Sequence, residues 1–370
     1  MVLLENQVAA KTKTKMRALF INPGGIGDQL LLLPAVKLLK KKFNDLQIDL
    51  ITEPRSSCIR ELTTLYRKVK EFDFKNKNPN IINLRELIRS RPYKYIISTG
   101  CSYKANFVTF LGDAEYKIGF YKGIFSKLFL THPVKLNPNQ YTASTFCELL
   151  LPIIPEAENI IKEHSLVPEI RLNPSEIEWA KETLNPRIKE RFNARKIFIH
   201  PGVSKLSIQK NILKSWSAKN WATLIEKLLE NQENTIFLLG GKDDIETINE
   251  INKKLTFFAK PKNFFDLSSL DISIEKLAAL ISSSDLLVCV DSAPMHIGVA
   301  LGKKIVAFFG PTNPKKLLPN DPKFVAVHVN NLECRPCLFD ARKESCSKPL
   351  CLEVTPEMML NAVNKILYAK

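Results

Sequence analysis

Asp28 ends the run Gly24-Gly25-Ile26-Gly27-Asp28, which follows directly on a short apolar stretch. Glycines at a strand-to-helix turn let the backbone approach a ligand closely, and the helix N-terminus presents free N–H groups. The run is neither GxGxxG nor a P-loop, because the Lys-Ser/Thr ending is missing. Asp28 has two readings. It is a helix cap, since Asp is a favoured N-cap, or it is a carboxylate base at the mouth of a cleft. A second group is Val290-Asp291-Ser292-Ala293-Pro294-Met295-His296, again after an apolar run and with Pro294 in the first turn of a helix. There the N–H groups of Met295 and His296 are expected to lack intrahelical partners. With Ser292 and His296 one turn apart, the segment suits a phosphate; the plain alternative is a capped helix with a packed histidine.

Three further stretches carry candidate chemistry. His200-Pro201-Gly202-Val203-Ser204-Lys205, continuing to Lys210, Lys214, Ser215 and Trp216, is a long basic loop at a strand end. It is placed to meet a diphosphate, or it is simply a solvated charged loop. Gly240-Gly241, followed by Asp243 and Asp244, ends another strand, where a ribose or base could rest; an ordinary strand–helix turn explains it equally well. Cys334-x2-Cys337-x8-Cys346-x4-Cys351 is interleaved with Arg335, Lys343 and Lys348. Four thiols in one loop could close a structural zinc site or hold an iron–sulfur cluster. Only the opening C-x2-C has metal-ligand spacing, so reduced thiols or a conditional disulfide stand beside the metal reading.

These residues need strands and helices to position them. Apolar runs at 17–22, 48–52, 95–98, 196–200, 235–239, 285–290 and 304–309 read as strands. They alternate with helical stretches such as 28–43 and 217–230, and that alternation implies parallel βαβ units in an α/β fold. Ser217 is a natural N-cap, and Trp216 with Trp221 fits a hydrophobic staple. Pro152, Pro155, Pro168 and Pro174 interrupt the pattern, so 152–176 is the best linker and hinge candidate. The expected division is a loose tail at 1–15, one domain at 16–165, a second at 166–354 with a Cys-rich loop at 334–351, and a final helix at 355–370. That helix opens on Thr355-Pro356-Glu357, and its apolar face must pack on something, with the first domain one option. Open α/β sheets bind ligands in the crevice beyond the strand C-termini.

Composition limits the rest. The 370 residues are 45% hydrophobic and 25% charged, ordinary for a globular chain. No stretch approaches the ~18 apolar residues that a spanning helix needs. The first residues carry Glu5, and the basic cluster at Lys11, Lys13 and Lys15 follows the weak apolar run, unlike an export signal. Eight cysteines are too sparse for a disulfide scaffold, so a reduced, cytoplasmic protein is the default. A net charge of +16 points to an anionic partner. Nucleic acid is disfavoured, because no RNA- or DNA-binding pattern is present and the basic residues are spread along the chain.

Taken in order, these fragments resemble glycosyltransferase family nine, the ADP-heptose:lipopolysaccharide heptosyltransferases. The matching pieces are 18–28 with Pro34 behind it, His200-Pro-Gly202, Lys214-Ser-Trp216, Gly240-Gly241, Asp291-Ser-Ala-Pro-Met-His296 and Phe309-Gly-Pro-Thr312. The resemblance implies a GT-B architecture, two Rossmann-like domains facing across a cleft. The acceptor would sit on the N-terminal domain and the nucleotide sugar on the C-terminal one. It implies an inverting transfer of heptose from ADP-heptose to a lipopolysaccharide inner-core acceptor, with no cofactor or metal required. Asp28 matches the catalytic base, flanked by Gly24, Gly25 and Gly27 on the acceptor side. Asp291, Ser292, Ala293, Met295 and His296 match the donor-diphosphate loop, with Ser204, Lys205, Gly240 and Gly241 as further donor contacts. Lys214 matches the basic residue beside the diphosphate. Ala293 stands where the family usually has Gly. The segment 202–214 is longer than usual, so Lys205 and Lys210 compete with Lys214 for that role. The charge excess then fits a diphosphate donor, an acidic acceptor and a peripheral position on the anionic inner face of the cytoplasmic membrane. The alternatives are another sugar nucleotide within the same family, or an idle binding module.

Overall fold

The computed structural model describes residues 15–121, 123–163, 166–188, 193–209, 212–256, 261–337, 346 and 348–368. The expected tail therefore lies, except for Lys15, outside the described residues, as does Lys210. The chain forms two all-parallel six-stranded sheets. The first uses β1 (Arg17–Asn22), β2 (Gln47–Thr52), β3 (Lys68–Glu71), β4 (Tyr95–Ser98), β5 (Tyr116–Tyr121) and β6 (His132–Lys135), in the order β3-β2-β1-β4-β5-β6. The second uses β7 (Arg195–His200), β8 (Asn234–Leu238), β9 (Phe264–Asp266), β10 (Leu286–Val290), β11 (Ile305–Phe308) and β12 (Phe324–Val327), in the order β12-β11-β10-β7-β8-β9. Counted from its own first strand, each sheet has the doubly wound order in which the direction of winding reverses once. That reversal lies between β1 and β4 in the first sheet and between β7 and β10 in the second, and it opens a crevice at the strand C-termini.

The central strands are buried throughout, apart from the half-buried first residues Arg17 and Gln47, as parallel strands covered on both faces must be. The first helix, Ile26–Lys42, is buried from Gln29 to Val36 and carries Pro34 in its interior. It is apolar on most sides because it is covered twice: it packs against the helix Thr142–Glu148 of its own half and against the helix Ala293–Ala300 of the other. One apolar cluster consequently runs through both halves, taking in Phe20 and Leu31 on one side and Phe198, Met295 and Phe309 on the other.

The Pro-rich segment between the sheets is tied down on both sides. Glu169 and Glu156 pair with Lys37 and Lys42 of the first helix, and the Ile170 N–H donates to the Ala300 carbonyl at 3.3 Å. Trp216 and Trp221 meet edge-on with centroids 4.9 Å apart, and the Ser217 hydroxyl accepts from the Asn220 N–H at 3.1 Å, which is the expected cap and staple. The last helix, Pro356–Tyr368, does not return to the first domain. It lies on the helix Ala218–Glu230 and beside β11 and β12. Tyr368 donates to Asn234 Oδ1 at 3.0 Å, and Trp216 Nε1 donates to the Val354 carbonyl at 2.8 Å. Its apolar face is absorbed by the second half. Two Rossmann-like domains facing across a cleft make this a GT-B architecture.

Candidate active site

The site is built from strand ends. Asn22 closes β1 and organises the glycine turn: its Oδ1 accepts from the Gly24 N–H at 3.1 Å and from Thr99 Oγ1 at 3.0 Å, while its Nδ2 donates to the Asp28 carbonyl at 3.2 Å. Buried Gln29 adds bonds to the Asn22 carbonyl and to Thr52 Oγ1 at the end of β2. The helix begins two residues earlier than the sequence suggested, at Ile26, with Gly25 as its N-cap. Asp28 is therefore not the N-cap. It is the third helical residue, and its Oδ2 accepts from the Gly25 N–H at 2.7 Å. The two readings of Asp28 are compatible, since one oxygen holds the turn while the side chain also lines the cleft. Gly24 has no room for a side chain, because a Cβ would sit 2.4 Å from Asp28 Cβ.

The opposite wall comes from the second sheet at its reversal point. β10 delivers Asp291, which is 4% exposed. Its Oδ2 accepts from Thr312 Oγ1 at 2.6 Å and faces Lys214 Nζ at 2.8 Å. Burial on its own would raise the Asp291 carboxyl, but the Lys214 charge and the two hydrogen bonds outweigh it and hold the pKa below the usual 3.8. Asp291 is thus an ionised anchor for Lys214. Ser292 caps the helix Ala293–Ala300 through its backbone; its hydroxyl points back to the Val290 carbonyl at 3.5 Å. The Met295 N–H is not free as expected, since it donates to the Ser292 carbonyl at 3.1 Å, and the Met295 side chain is core.

His296 joins the two walls. A Cβ on Gly27 would stand 2.5 Å from His296 Cδ2 and 2.8 Å from Nε2, so the glycine turn of one domain rests against the imidazole of the other. Burial holds the His296 pKa below 6.5 against the upward pull of Asp291 and Asp28. Its Nδ1 finds no hydrogen-bond partner among the described residues, and neither does that of buried His200 at the end of β7. His200 Nε2 stands 3.6 Å from Asp244 Oδ2, and burial lowers its pKa too.

Between these walls lies a cleft with a cavity volume of about 730 Å³. It brings together Gly24, Gly25, Gly27, Asp28, Ser204, Lys214, Asp291, Ser292, Ala293 and His296, all anticipated from the sequence. It does not bring in Gly240 or Gly241. Gly240 packs against Ile248, Gly241 donates to Asp244 Oδ2 at 2.9 Å, and Asp243 and Asp244 do the lining. Lys205 opens the short helix Lys205–Gln209. Arg55, Ser56 and Lys75 also line the cleft and were not anticipated. They follow β2 and β3, so only the sheet order places them here. The signal available was positional: the loops after β2 and then β3, on one flank of β1, open toward the same crevice.

The cysteine loop lies apart from this cleft. Cys351 is buried, Cys337 partly, and Cys334 and Cys346 are exposed. The thiols are close enough to feel one another: burial first, then Cys337, Cys346 and Cys334, push the Cys351 thiol up to about 11. Among the described residues no three His, Cys, Asp or Glu side chains converge to hold a metal ion. Nor is any helix there long and apolar enough to cross a membrane.

Comparison with known proteins agrees with this geometry. The family model for glycosyltransferase family 9 (heptosyltransferase) matches residues 81–349. Lipopolysaccharide heptosyltransferase 3 of Escherichia coli is 25% identical over 304 residues, 78% of this chain and 81% of that one. Lipooligosaccharide heptosyltransferase 2 of Campylobacter jejuni is 26% identical over 357 residues, 93% and 96% of the two chains. The solved structure of the E. coli ADP-heptose lps heptosyltransferase II shares the fold, with a TM-score of 0.69 at 17% identity over 95% of this chain and 98% of that one. The two facing sheets, the cleft between them and the matched segment lead to one assignment: the chain belongs to glycosyltransferase family 9, the heptosyltransferases.

Proposed function

We propose that the protein moves a heptose from ADP-heptose to an inner-core sugar of lipopolysaccharide, with inversion at the anomeric carbon. The observation that carries this is the contact of Gly27 with His296, which sets the Asp28 carboxylate of one domain against Lys214, Asp291 and His296 of the other. The names of the relatives support a heptose donor and a lipopolysaccharide or lipooligosaccharide acceptor. An acceptor hydroxyl lying over the glycine turn attacks the anomeric carbon and gives its proton to Asp28, whose Oδ1 is left over from the turn. As the new C–O bond forms, the bond to the diphosphate breaks and negative charge grows on the leaving oxygen. Lys214, held by Asp291, and the imidazole of His296 meet that charge, with the N-terminus of the helix Ala293–Ala300 behind them. The Lys214 ammonium and the helix N-terminus do the work that a metal ion does elsewhere, with the neutral imidazole of His296 as a hydrogen-bonding partner, and no DxD-like carboxylate pair accompanies the motifs, so the proposed transfer calls for no cofactor. Work on a lipid-linked acceptor places the protein on the cytoplasmic face of the inner membrane.

Asp28→Asn is the direct test. The amide oxygen still accepts from the Gly25 N–H, so the turn survives. ADP binding should be retained while turnover falls by about 10²–10⁴, the usual worth of a positioned general base. Near wild-type turnover would remove Asp28 from the base role.

A further inference from the structure

The first domain carries apolar side chains that its own fold leaves uncovered. The helix Tyr103–Phe110 follows β4, and the short helix Ile124–Lys127 follows β5. Side by side they leave Tyr103, Phe107 and Phe110 exposed to 57, 36 and 47%, and Ile124 and Leu128 to 78 and 72%. The aromatic members form one surface. Tyr103, Phe107 and Phe110 all pack on the ring of Phe129, with centroids 5.0, 5.7 and 5.5 Å away. Single exposed apolar residues are ordinary, but a contiguous patch marks an interaction site.

The rim of the patch is cationic. Lys117 Nζ lies 5.3 Å from the centre of the Phe110 ring, and Lys127 Nζ lies 4.4 Å from that of Tyr121. Rings topped by ammonium groups suit the boundary between acyl chains and phosphate headgroups. The patch also continues inward. A cavity of about 560 Å³ is lined by Phe72, Phe74, Ile81, Phe107 and Val108, and it reaches Pro23 of the glycine turn. Lys75 lines both this cavity and the cleft. A largely apolar cavity thus runs from Phe107 of the patch to Pro23, beside the proposed catalytic turn.

We infer that this patch is the face by which the protein docks on an anionic lipid bilayer, holding the mouth of the cleft beside a membrane-borne acceptor. The inference rests on the proposed lipid-linked acceptor for its purpose, but on the patch itself for its evidence of docking. Charge decides the occupant. A two-fold contact with a second copy would oppose two lysine rims, whereas anionic lipid neutralises them.

Co-sedimentation with vesicles tests this without any turnover. The wild type should bind vesicles of equal parts phosphatidylethanolamine and phosphatidylglycerol, and bind pure phosphatidylcholine much more weakly. Ile124→Ser/Leu128→Ser should weaken binding by about tenfold or more, since two large apolar side chains no longer insert. Lys117→Gln/Lys127→Gln should weaken it by roughly fivefold per lysine. Both variants should keep wild-type ADP affinity, which verifies the fold. The inference is overturned if the wild type stays in the supernatant, if the variants sediment with vesicles as the wild type does, or if both lipids bind equally. It is overturned also if the aliphatic variant dissociates a lipid-free dimer, because the patch would then be a subunit interface. Retained vesicle binding in a protein that transfers no heptose would leave docking standing and sink the heptose reading alone.

Discussion

Asp291 is a fully buried carboxylate whose charge is balanced by a single ammonium group, that of Lys214, and by the Thr312 hydroxyl. This separates the structural role of Lys214, pairing with Asp291, from its proposed role at the donor diphosphate. Removing it as Lys214→Met strands the carboxylate and should cost about 3 kcal/mol of stability, the low end for breaking a buried pair. It should also weaken ADP binding. The double variant Lys214→Met/Asp291→Asn restores charge balance, so urea unfolding should recover most of the lost stability while ADP titration should stay weak. Recovery of both would make Lys214 a structural residue alone. Asp28, Asp291 and His296 could be read from the sequence because each sits at or within one turn of a strand-to-helix junction that follows an apolar strand. Arg55 and Lys75 could not. They look like ordinary surface cations until the strand order β3-β2-β1 puts their loops on the same side of the sheet as the glycine turn. The Met295 N–H, expected to be free, differs in the other direction, because a motif position does not reveal that the Ser292 carbonyl takes it up.

The two elements that make the site are helix N-termini brought face to face, and the distance between them is set by the absence of a side chain at Gly27. Gly27→Ala puts a methyl group into the His296 ring, and the flexible response is for one helix to withdraw. Misplacement by about 1 Å is enough to cost roughly 10² in rate. Turnover should therefore fall by about that factor with only a small change in melting temperature, measured by steady-state kinetics and calorimetry on the same sample. Wild-type turnover would show that the contact between the turns is incidental. The same scale explains which elements were legible. β1, β2, β4, β7, β8, β10 and β11 are continuous apolar runs because helices cover both their faces. β3, with the sequence KVKE, and β6, with HPVK, are edge strands that stay half exposed, and their charges conceal them. The last helix was legible as a helix but not in its docking. Its apolar face says that it must pack, and only the second sheet's uncovered flank says where.

Two domains with the same strand order need not behave as two bodies. Here the first helix is shared: its buried side chains meet the helix Ala293–Ala300, and a single apolar cluster crosses the boundary. Thr142 Oγ1 adds a hydrogen bond to the Lys316 carbonyl at 2.8 Å. Separating the halves would expose Met295 and the buried leucines of the first helix together, so neither half has a complete core alone. Unfolding should accordingly be one cooperative transition, with calorimetric and van't Hoff enthalpies that agree. The site straddles the same boundary, which links ligand to fold. ADP at about 100 times its Kd should add about 2.7 kcal/mol to that one transition. UDP, GDP and CMP should add far less if the donor is ADP-heptose. Two separate transitions, with ADP raising only the later one, would mean that the halves fold independently and meet only through the ligand. Equal stabilisation by ADP, UDP and GDP, with CMP weaker, would remove the adenine preference while leaving the proposed diphosphate wall of Lys214, Asp291 and His296 in place.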